Sequence, residues 1–434
     1  MVKHRFVFYS GLTKTGTALP CLAVLFVLSA ASSPCPDLNL IHYITATQTT
    51  TDAARTPFRR HRHRNISAVL RYNSSHLQKP SNTMPSETRL PNLIRALIFA
   101  LGFIFLNACS EQTAQTVTLQ GETMGTTYTV KYLSNNRDKL PSPAEIQKRI
   151  NDALKEVNRQ MSTYQPDSEI SRFNQHTADK PLRISSDFAH VTAEAIRLNR
   201  LTHGALDVTV GPLVNLWGFG PDKSVTREPT PEQIKQAASY TGIDKIILKQ
   251  GKDYASLSKT HPKAYLDLSS IAKGFGVDKV AGELEKYGIQ NYLVEIGGEL
   301  HGKGKNARGE PWRIGIEQPN IVQGGNTQII VPLNNRSLAT SGDYRIFHVD
   351  KSGKRLSHII NPNNKRPISH NLASISVVAD SAMTADGLST GLFVLGETEA
   401  LKLAEREKLA IFLIVRDKGG YRTAMSSEFA KLLR

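Results

Sequence analysis

One segment decides how much of this chain is available to build a core. Residues 84–109 read M-P-S-E-T-R-L-P-N-L-I-R-A-L-I-F-A-L-G-F-I-F-L-N-A-C. Arg89 and Arg95 lead into an apolar run of 11 residues, 96–106, which small residues and a cysteine close. That succession is the anatomy of a secretory signal. A helix that spans a bilayer takes about 20 apolar residues, so the run is too short to cross comfortably. A buried helix would fit poorly with the polar sequence that starts at Ser110. The fold must therefore be built from the residues after Cys109. Residues 1–83 mix an apolar run, a threonine-rich patch and the basic cluster Arg59-Arg60-His61-Arg62-His63-Arg64, with no pattern of a packed domain. The expected division is an unstructured or over-long leader at 1–83, a signal from Met84 to residue 108, a linker at 109–116 and the folded domain at 117–434.

Charge follows the same division. Residues 1–83 supply +8 of the formal net charge of +16. A basic cluster can mark a nucleic-acid partner, but here the high pI belongs largely to the leader, so no nucleic-acid partner is expected. His61 and His63 read better as part of a solvated charge run than as a metal site. Three cysteines, Cys21, Cys35 and Cys109, give neither a disulfide framework nor zinc spacing. The ending L-N-A-C resembles the lipobox of bacterial lipoproteins, although Asn107 is a less usual residue at its position. That resemblance implies export, lipid attachment at Cys109 and a place on the periplasmic face of the inner membrane. Each buried CH₂ of the lipid would contribute about 0.8 kcal/mol to the anchoring.

Downstream, residues 117–132 alternate β-branched and aromatic side chains and predict two strands around Gly121 and Gly125. Ile146, Ile150, Ala153, Leu154 and Val157 recur at helical spacing and predict a helix over Pro143–Met161. Ser, Pro and Asp at 161–174 mark a loop, with Asp167-Ser168 opening a helical turn. Further helices are expected at 188–201, Pro231–Ser239 and 397–407, and a hairpin at 245–258. Strands are expected at 292–298, 312–318, 329–333, 337–340, Leu372–Ala379, 410–416 and 421–425. Residues 204–221 form an apolar, glycine-punctuated stretch with one carboxylate, Asp207. Residues 265–280 predict a strand running into a helix that starts near Leu268. With no internal repeat and no further linker, the pattern predicts one α+β unit, with room for two lobes and a cleft between them.

Residues 381–391, S-A-M-T-A-D-G-L-S-T-G, hold one carboxylate, Asp386, and a hydroxyl four positions on, Thr390. On a helix those two would share a face, about 5–6 Å apart at Cβ, and offer hard oxygen ligands to Mg²⁺, an ion that takes few protein carboxylates. Capping a helix is the commoner fate of Asp386 and Thr384. At 265–280, Asp267, Ser270 and Lys273 lie three apart at a strand-to-helix junction, where free N–H groups favour a phosphate. A buried Asp–Lys pair with a cap is an equal reading of that segment alone. His358, in S-H-I-I-N-P, stands at a strand end before a turn.

Taken together and in order, these segments resemble the FAD:protein FMN transferase family, known as the ApbE family. The matching pieces are E-T-M-G-T-T-Y at 122–128, M-S-T-Y-x-P-D-S-E-I-S-R-F-N at 161–174, A-L-D-V-T-V-G-P-L-V-N-L-W-G-F-G at 205–220 and D-L-S-S-I-A-K-G-F-G-V-D at 267–278. E-I-G-G-E-L at 295–300, T-S-G-D-Y-R at 340–345, H-I-I-N-P at 358–362 and M-T-A-D-G-L-S-T at 383–390 complete the set. The resemblance implies a periplasmic enzyme that binds FAD and Mg²⁺, cuts the pyrophosphate and attaches FMN to a threonine of a partner protein. Such partners are subunits of Na⁺-translocating NADH:quinone reductase and related electron-transport complexes. It implies flavin contacts at Met124, Tyr164, Ala205, Leu206, Asp207, Asp267, Lys273 and Ile360. It implies metal contacts at Ser270, through its carbonyl, and at Asp386 and Thr390. His358 matches a histidine proposed to help catalysis, beside Lys273 and Asp386; a histidine bonded to its own turn is the alternative. Tyr164 could stack on a flavin or adenine ring, though core packing is the usual role of a lone tyrosine. A carrier that holds FAD without turnover and a metal-dependent FAD pyrophosphatase are the competing activities.

Overall fold

The alternation at 117–132 folds as a hairpin, β1 (Gln115–Thr123) and β2 (Thr126–Ser134), with Thr123 opposite Thr126. Tyr128, Val130 and Tyr132 are buried on one face, as the period of two requires of a strand with one face in a core. The computed structural model describes residues 114–434 except 136–138, 178–179, 221–227, 320–326, 344–346 and 350–354. The leader, the signal and Cys109 lie outside the described residues, which all fall in one compact unit. Among them no helix is long and apolar enough to cross a membrane.

The hairpin opens an eight-stranded antiparallel sheet that continues through β3 (Tyr292–Ile296), β4 (Glu299–Lys303), β5 (Arg336–Gly342), β6 (Leu372–Ala379), β7 (Ala410–Asp417) and β8 (Gly420–Met425). Order in space follows order in the chain. Between β2 and β3 run helices α1 (Pro143–Met161), α2 (Glu169–Gln175), α3 (Ser186–Leu201), α4 (Gly211–Leu216), α5 (Pro231–Ser239) and α6 (Ala272–Lys286). The same insertion carries a small sheet of Leu182–Arg183, Ala255–Lys259 and Ile246–Gln250. The hairpin Trp312–Glu317 with Thr327–Leu333 separates β4 from β5, and α7 (Ala382–Glu407) separates β6 from β7. Helix α8 (Ser427–Lys431) ends the fold.

The sheet is covered on both faces. On one, Tyr128, Val294 and Ile296 pack with Ile146, Ile150 and Leu154 of α1 and Val277, Val280 and Leu284 of α6. On the other, Leu293, Leu338 and Phe412 pack with Trp312, Ile314 and Val331 of the hairpin and Phe429 of α8. Each such side chain, fully buried, contributes roughly 1.5–3 kcal/mol. Helix α1 is set by its own sequence: Ser142 and Glu145 make a capping box and Pro143 occupies the first turn.

Three local expectations change. Residues 264–268 join no sheet, and α6 begins at Ala272, so Asp267 and Ser270 precede the helix. The reason lies outside the segment. Asn174 exchanges two hydrogen bonds with the Leu266 backbone, at 2.9 and 2.8 Å, and the Asp267 N–H donates to the Val208 carbonyl. The Ser269 N–H donates to Asp267 Oδ1, a turn that competes with helix. Within 204–221 the chain makes the short helix α4. The segment holding Asp386 and the helix expected at 397–407 are one element, α7, broken at Gly396 (φ 77°, ψ 175°).

Candidate active site

Two helices cross where α6 can carry no side chain. A Cβ on Gly274 of α6 would overlap the Ala382 carbonyl and lie 2.8 Å from Asp386 Cβ. The close approach lets the Gly274 N–H donate to Asp386 Oδ2 at 2.9 Å. Asp386 is 3% exposed, and burial pushes its carboxyl above the usual range while the Lys273 charge pulls it back. Lys273 Nζ lies 3.9 Å from Asp386 Oδ1 and 3.5 Å from Glu299 Oε1. Glu299 is also 3% exposed, and burial raises its carboxyl further. One ammonium thus lies within 4 Å of two buried carboxylates.

Helix α7 is oriented from both ends of its first turns. The Asp278 carboxylate of α6 accepts from Ser381 Oγ and from the Ala382 and Met383 N–H groups, the anion a helix N-terminus favours. From β5, Ser341 Oγ lies 2.8 Å from Ser389 Oγ and 3.3 Å from Thr390 Oγ1. Ser389 Oγ in turn donates to the Asp386 carbonyl. Asp386 and Thr390 therefore share one helical segment, as their spacing predicts, and a strand hydroxyl holds them in rotation.

The strip 205–207 follows the left-handed turn His203-Gly204 (φ 52° and 81°). Leu206 packs against α7, where a Cβ on Gly391 would lie 3.0 Å from Leu206 Cβ. Asp207 Oδ1 accepts from the Thr209 N–H and hydroxyl at 2.8 and 2.6 Å, and burial raises its carboxyl. The bond from Asp267 to Val208 joins this strip to the run leading into Lys273. Tyr265, pushed up to about 12 mainly by burial, bonds to Thr163 beside Tyr164. Tyr164 itself is 53% exposed, so it is no core residue. Met124 holds a left-handed φ of 50°, costly for a side chain of that size. Its Cε lies 2.9 Å from where a Gly276 Cβ would be, one turn beyond Lys273.

The structure thus brings Met124, Lys273 and Asp386 to one crossing, with 205–207 and Asp267 beside it. Ala205, Leu206 and Ile360 have buried side chains, and the Leu206 N–H and carbonyl are bonded to Thr202 Oγ1 and Asn199 Nδ2. Ile360 packs with Leu213, Trp217 and Phe219, and Trp217 Nε1 donates to the Lys365 carbonyl in the same turn. His358, half-buried, stands two residues before Ile360 at the end of Arg355–Ser357. Ser270 lies three residues ahead of Lys273 in the turn before α6. Sequence reasoning missed Glu299, Ser341 and Asp278. Each stood inside a family-like motif, yet only the fold turns its side chain toward this crossing.

Among the described residues no three His, Cys, Asp or Glu gather to hold a metal. A cation here would use Asp386, a hydroxyl and a carbonyl, with ligands from outside the protein, which suits Mg²⁺. A cavity of about 550 Å³ on the opposite sheet face, lined by Gln120, Glu122, Lys131 and Glu295 among others, touches none of these residues.

With this geometry the chain resembles known proteins over most of its length. The model of the ApbE family matches residues 124–413. The FAD:protein FMN transferase of Haemophilus influenzae is 53% identical over 344 residues, 79% of this chain and 99% of that protein. The enzyme of the same name from Vibrio cholerae is 46% identical over 340 residues, 78% and 99% of the two chains. The solved structure of the flavin transferase ApbE from Vibrio cholerae matches with a TM-score of 0.67 at 47% identity, covering 74% of this chain and 99% of that one. The apo flavinyl transferase ApbE of Pseudomonas stutzeri matches with a TM-score of 0.68 at 37% identity, covering 75% and 98%.

Proposed function

This chain belongs to the ApbE family, and on that premise we propose that it is an FAD:protein FMN transferase dependent on Mg²⁺. A threonine Oγ of the acceptor bonds to the FMN phosphorus, the bond to the bridging oxygen breaks, and AMP leaves. The observation that carries the reading is the crossing at Gly274, where a buried carboxylate and an ammonium lie together at a helix start. The donor set fits the ion. Asp386 Oδ1 has Lys273 3.9 Å away, beyond hydrogen-bond reach, and a buried oxygen of Glu299 nearby lacks a hydrogen bond. Asp386, Thr390 and the Ser270 carbonyl would hold Mg²⁺, which when bound supplies neutralisation of charge on the diphosphate oxygens.

The chain's own residues do the rest. Phosphoryl transfer depends on in-line placement and charge balance more than on covalent help. Lys273 Nζ adds a positive charge toward the phosphates. Met124, Tyr164, the 205–207 strip, Asp267 and the Ile360 backbone orient the flavin nucleotide. A ring nitrogen of His358 takes the threonine proton, since imidazole titrates near neutrality. The acceptors of this reading are subunits of Na⁺-translocating NADH:quinone reductase and related complexes. Lipid at Cys109 would hold the enzyme at the periplasmic face of the inner membrane, beside them.

The test is incubation with FAD, Mg²⁺ and an acceptor domain. Flavin fluorescence that stays on the acceptor through denaturation is the expected result. Free FMN and AMP without labelling would make the protein a pyrophosphatase, and intact bound FAD would make it a carrier.

A further inference from the structure

Three hydroxyls beside Asp386 are linked in a way that fixes where each hydrogen points. Ser341 stands opposite Ile375 in the pairing of β5 with β6. Ile375 packs with Leu388 and Leu392 of α7, so Ser341 lies on the sheet face that carries this helix. Ser341 and Ser389 are buried, while Thr390 is half-buried. Ser341 Oγ lies 2.8 Å from Ser389 Oγ and 3.3 Å from Thr390 Oγ1, and Ser389 Oγ lies 2.8 Å from the Asp386 carbonyl oxygen. A hydroxyl has one hydrogen to donate and two lone pairs to accept with. The Asp386 carbonyl can only accept, so Ser389 spends its hydrogen there. Ser389 therefore accepts from Ser341, and Ser341, its own hydrogen spent, accepts from Thr390. The result is one directed chain, Thr390 to Ser341 to Ser389 to the Asp386 carbonyl, in which each link polarises the next.

Resting on the transferase reading above, we propose that Ser341 is a positioning residue for that reaction, taking up the Thr390 hydrogen so that the lone pairs of Thr390 Oγ1 face the cation. A hydroxyl serves as an oxygen ligand to Mg²⁺ through a lone pair, and a hydrogen turned toward the ion would oppose its charge. The usual outlet for a threonine hydrogen on a helix is a carbonyl three or four residues back. For Thr390 the carbonyl four back is that of Asp386, which Ser389 engages. The strand hydroxyl takes the hydrogen instead. Alanine would fit where Ser341 stands, so what the serine adds is the hydroxyl. The chain begins at one residue proposed to hold the cation and ends on the backbone of the other, which ties the orientation of both to β5.

The test follows Mn²⁺ binding in the presence of FAD and without acceptor, read from the electron paramagnetic resonance signal of the free ion, beside turnover and thermal melts. It compares wild type, Ser341→Ala, Ser389→Ala, Thr390→Val and the double variant Ser341→Ala/Thr390→Val. Ser341→Ala should bind Mn²⁺ about tenfold more weakly or worse, the range lost when the partner behind a metal ligand is removed. The Mg²⁺ concentration that half-saturates its turnover should rise by a similar factor, with the melting temperature and the kcat at saturating Mg²⁺ nearly unchanged. Ser389→Ala does not touch Thr390, yet it frees the Ser341 hydrogen to point at Thr390 Oγ1. It should weaken Mn²⁺ binding as well, by less than Ser341→Ala does. Once Thr390→Val has removed the hydroxyl, adding Ser341→Ala should weaken binding no further, the non-additivity of residues that act together. Wild-type Mn²⁺ affinity in Ser341→Ala or in Ser389→Ala, or a full further loss in the double variant, would overturn the proposal. Should Ser341→Ala fail to fold, Ser389→Ala decides. A wild type that binds Mn²⁺ and FAD without transferring FMN refutes the transferase reading, and the Mn²⁺ comparison still decides on Ser341. A wild type that binds no Mn²⁺ overturns both.

Discussion

Asp386 and Glu295 are carboxyl groups that burial treats alike and that the fold uses differently. Asp386 receives one N–H and faces an ammonium. Replacing it by alanine removes the one carboxylate proposed as a cation ligand, and transfer at millimolar Mg²⁺ should fall by a factor on the order of 10² or more, the scale of losing a group that stabilises developing charge. Turnover within threefold of wild type would take Asp386 out of the metal site. Glu295, on the other sheet face, accepts from the Gly298 N–H at 2.8 Å, and burial pushes it up to about 7 from 4.5. Between those two pH values the folded protein holds more of this proton than the unfolded chain, so this group's contribution is full below about 4.5 and is lost as pH rises through 7. Glu295→Gln keeps the Gly298 bond and removes the charge. It should leave stability at pH 5 nearly unchanged and raise it at pH 8 by roughly 1–3 kcal/mol, since each tenfold change in proton affinity is worth about 1.4 kcal/mol. Denaturant melts at both pH values measure this, and an equal gain at both would contradict the assignment.

At the scale of elements, the site is a helix crossing, and glycine permits it. Gly274→Ala pushes a methyl into the Ala382 carbonyl of α7. Overpacking of this kind costs about 1–3 kcal/mol, and here it also displaces the N–H that holds Asp386. We expect a melting temperature lower by a few degrees and a loss of transfer larger than that destabilisation explains. Thermal melts beside turnover at 20 °C separate the two effects, and full activity would show that the N–H contact is dispensable. Much at this scale was legible beforehand. Pro143–Met161, Pro231–Ser239 and Leu372–Ala379 stand where pattern put them, because hydrophobic period and caps are local. The strand expected at 265–268 failed because its backbone bonds go to Asn174 and Val208, partners no local window contains. Helix α4 was missed because its start carries Gly211 and Pro212 without a side-chain cap.

Over the whole molecule, a sheet whose spatial order follows the chain works as a frame, and its long insertions carry the proposed site residues. The segments 205–207 and 267–273 come from the insertion between β2 and β3, 358–360 from the one between β5 and β6, and α7 from another. The proposed membrane attachment belongs to this scale as well. Labelled palmitate should enter at Cys109, and Cys109→Ala should leave a soluble or unprocessed protein; labelling that persists in that variant would refute the anchor.

By itself the sequence determined most of the element pattern and the spacing that sets Asp386 and Thr390 on one helix. It also held the ordered motifs that mark the family. These are short-range properties, carried by caps, periods and φ preferences. Only the tertiary structure decided that Glu299 and Lys273 meet Asp386, that Ser341 steadies Thr390, and that Asp278 closes the end of α7. The physical reason is that those contacts join residues far apart in the chain, and burial alone turns them into a charged cluster with raised carboxyl groups.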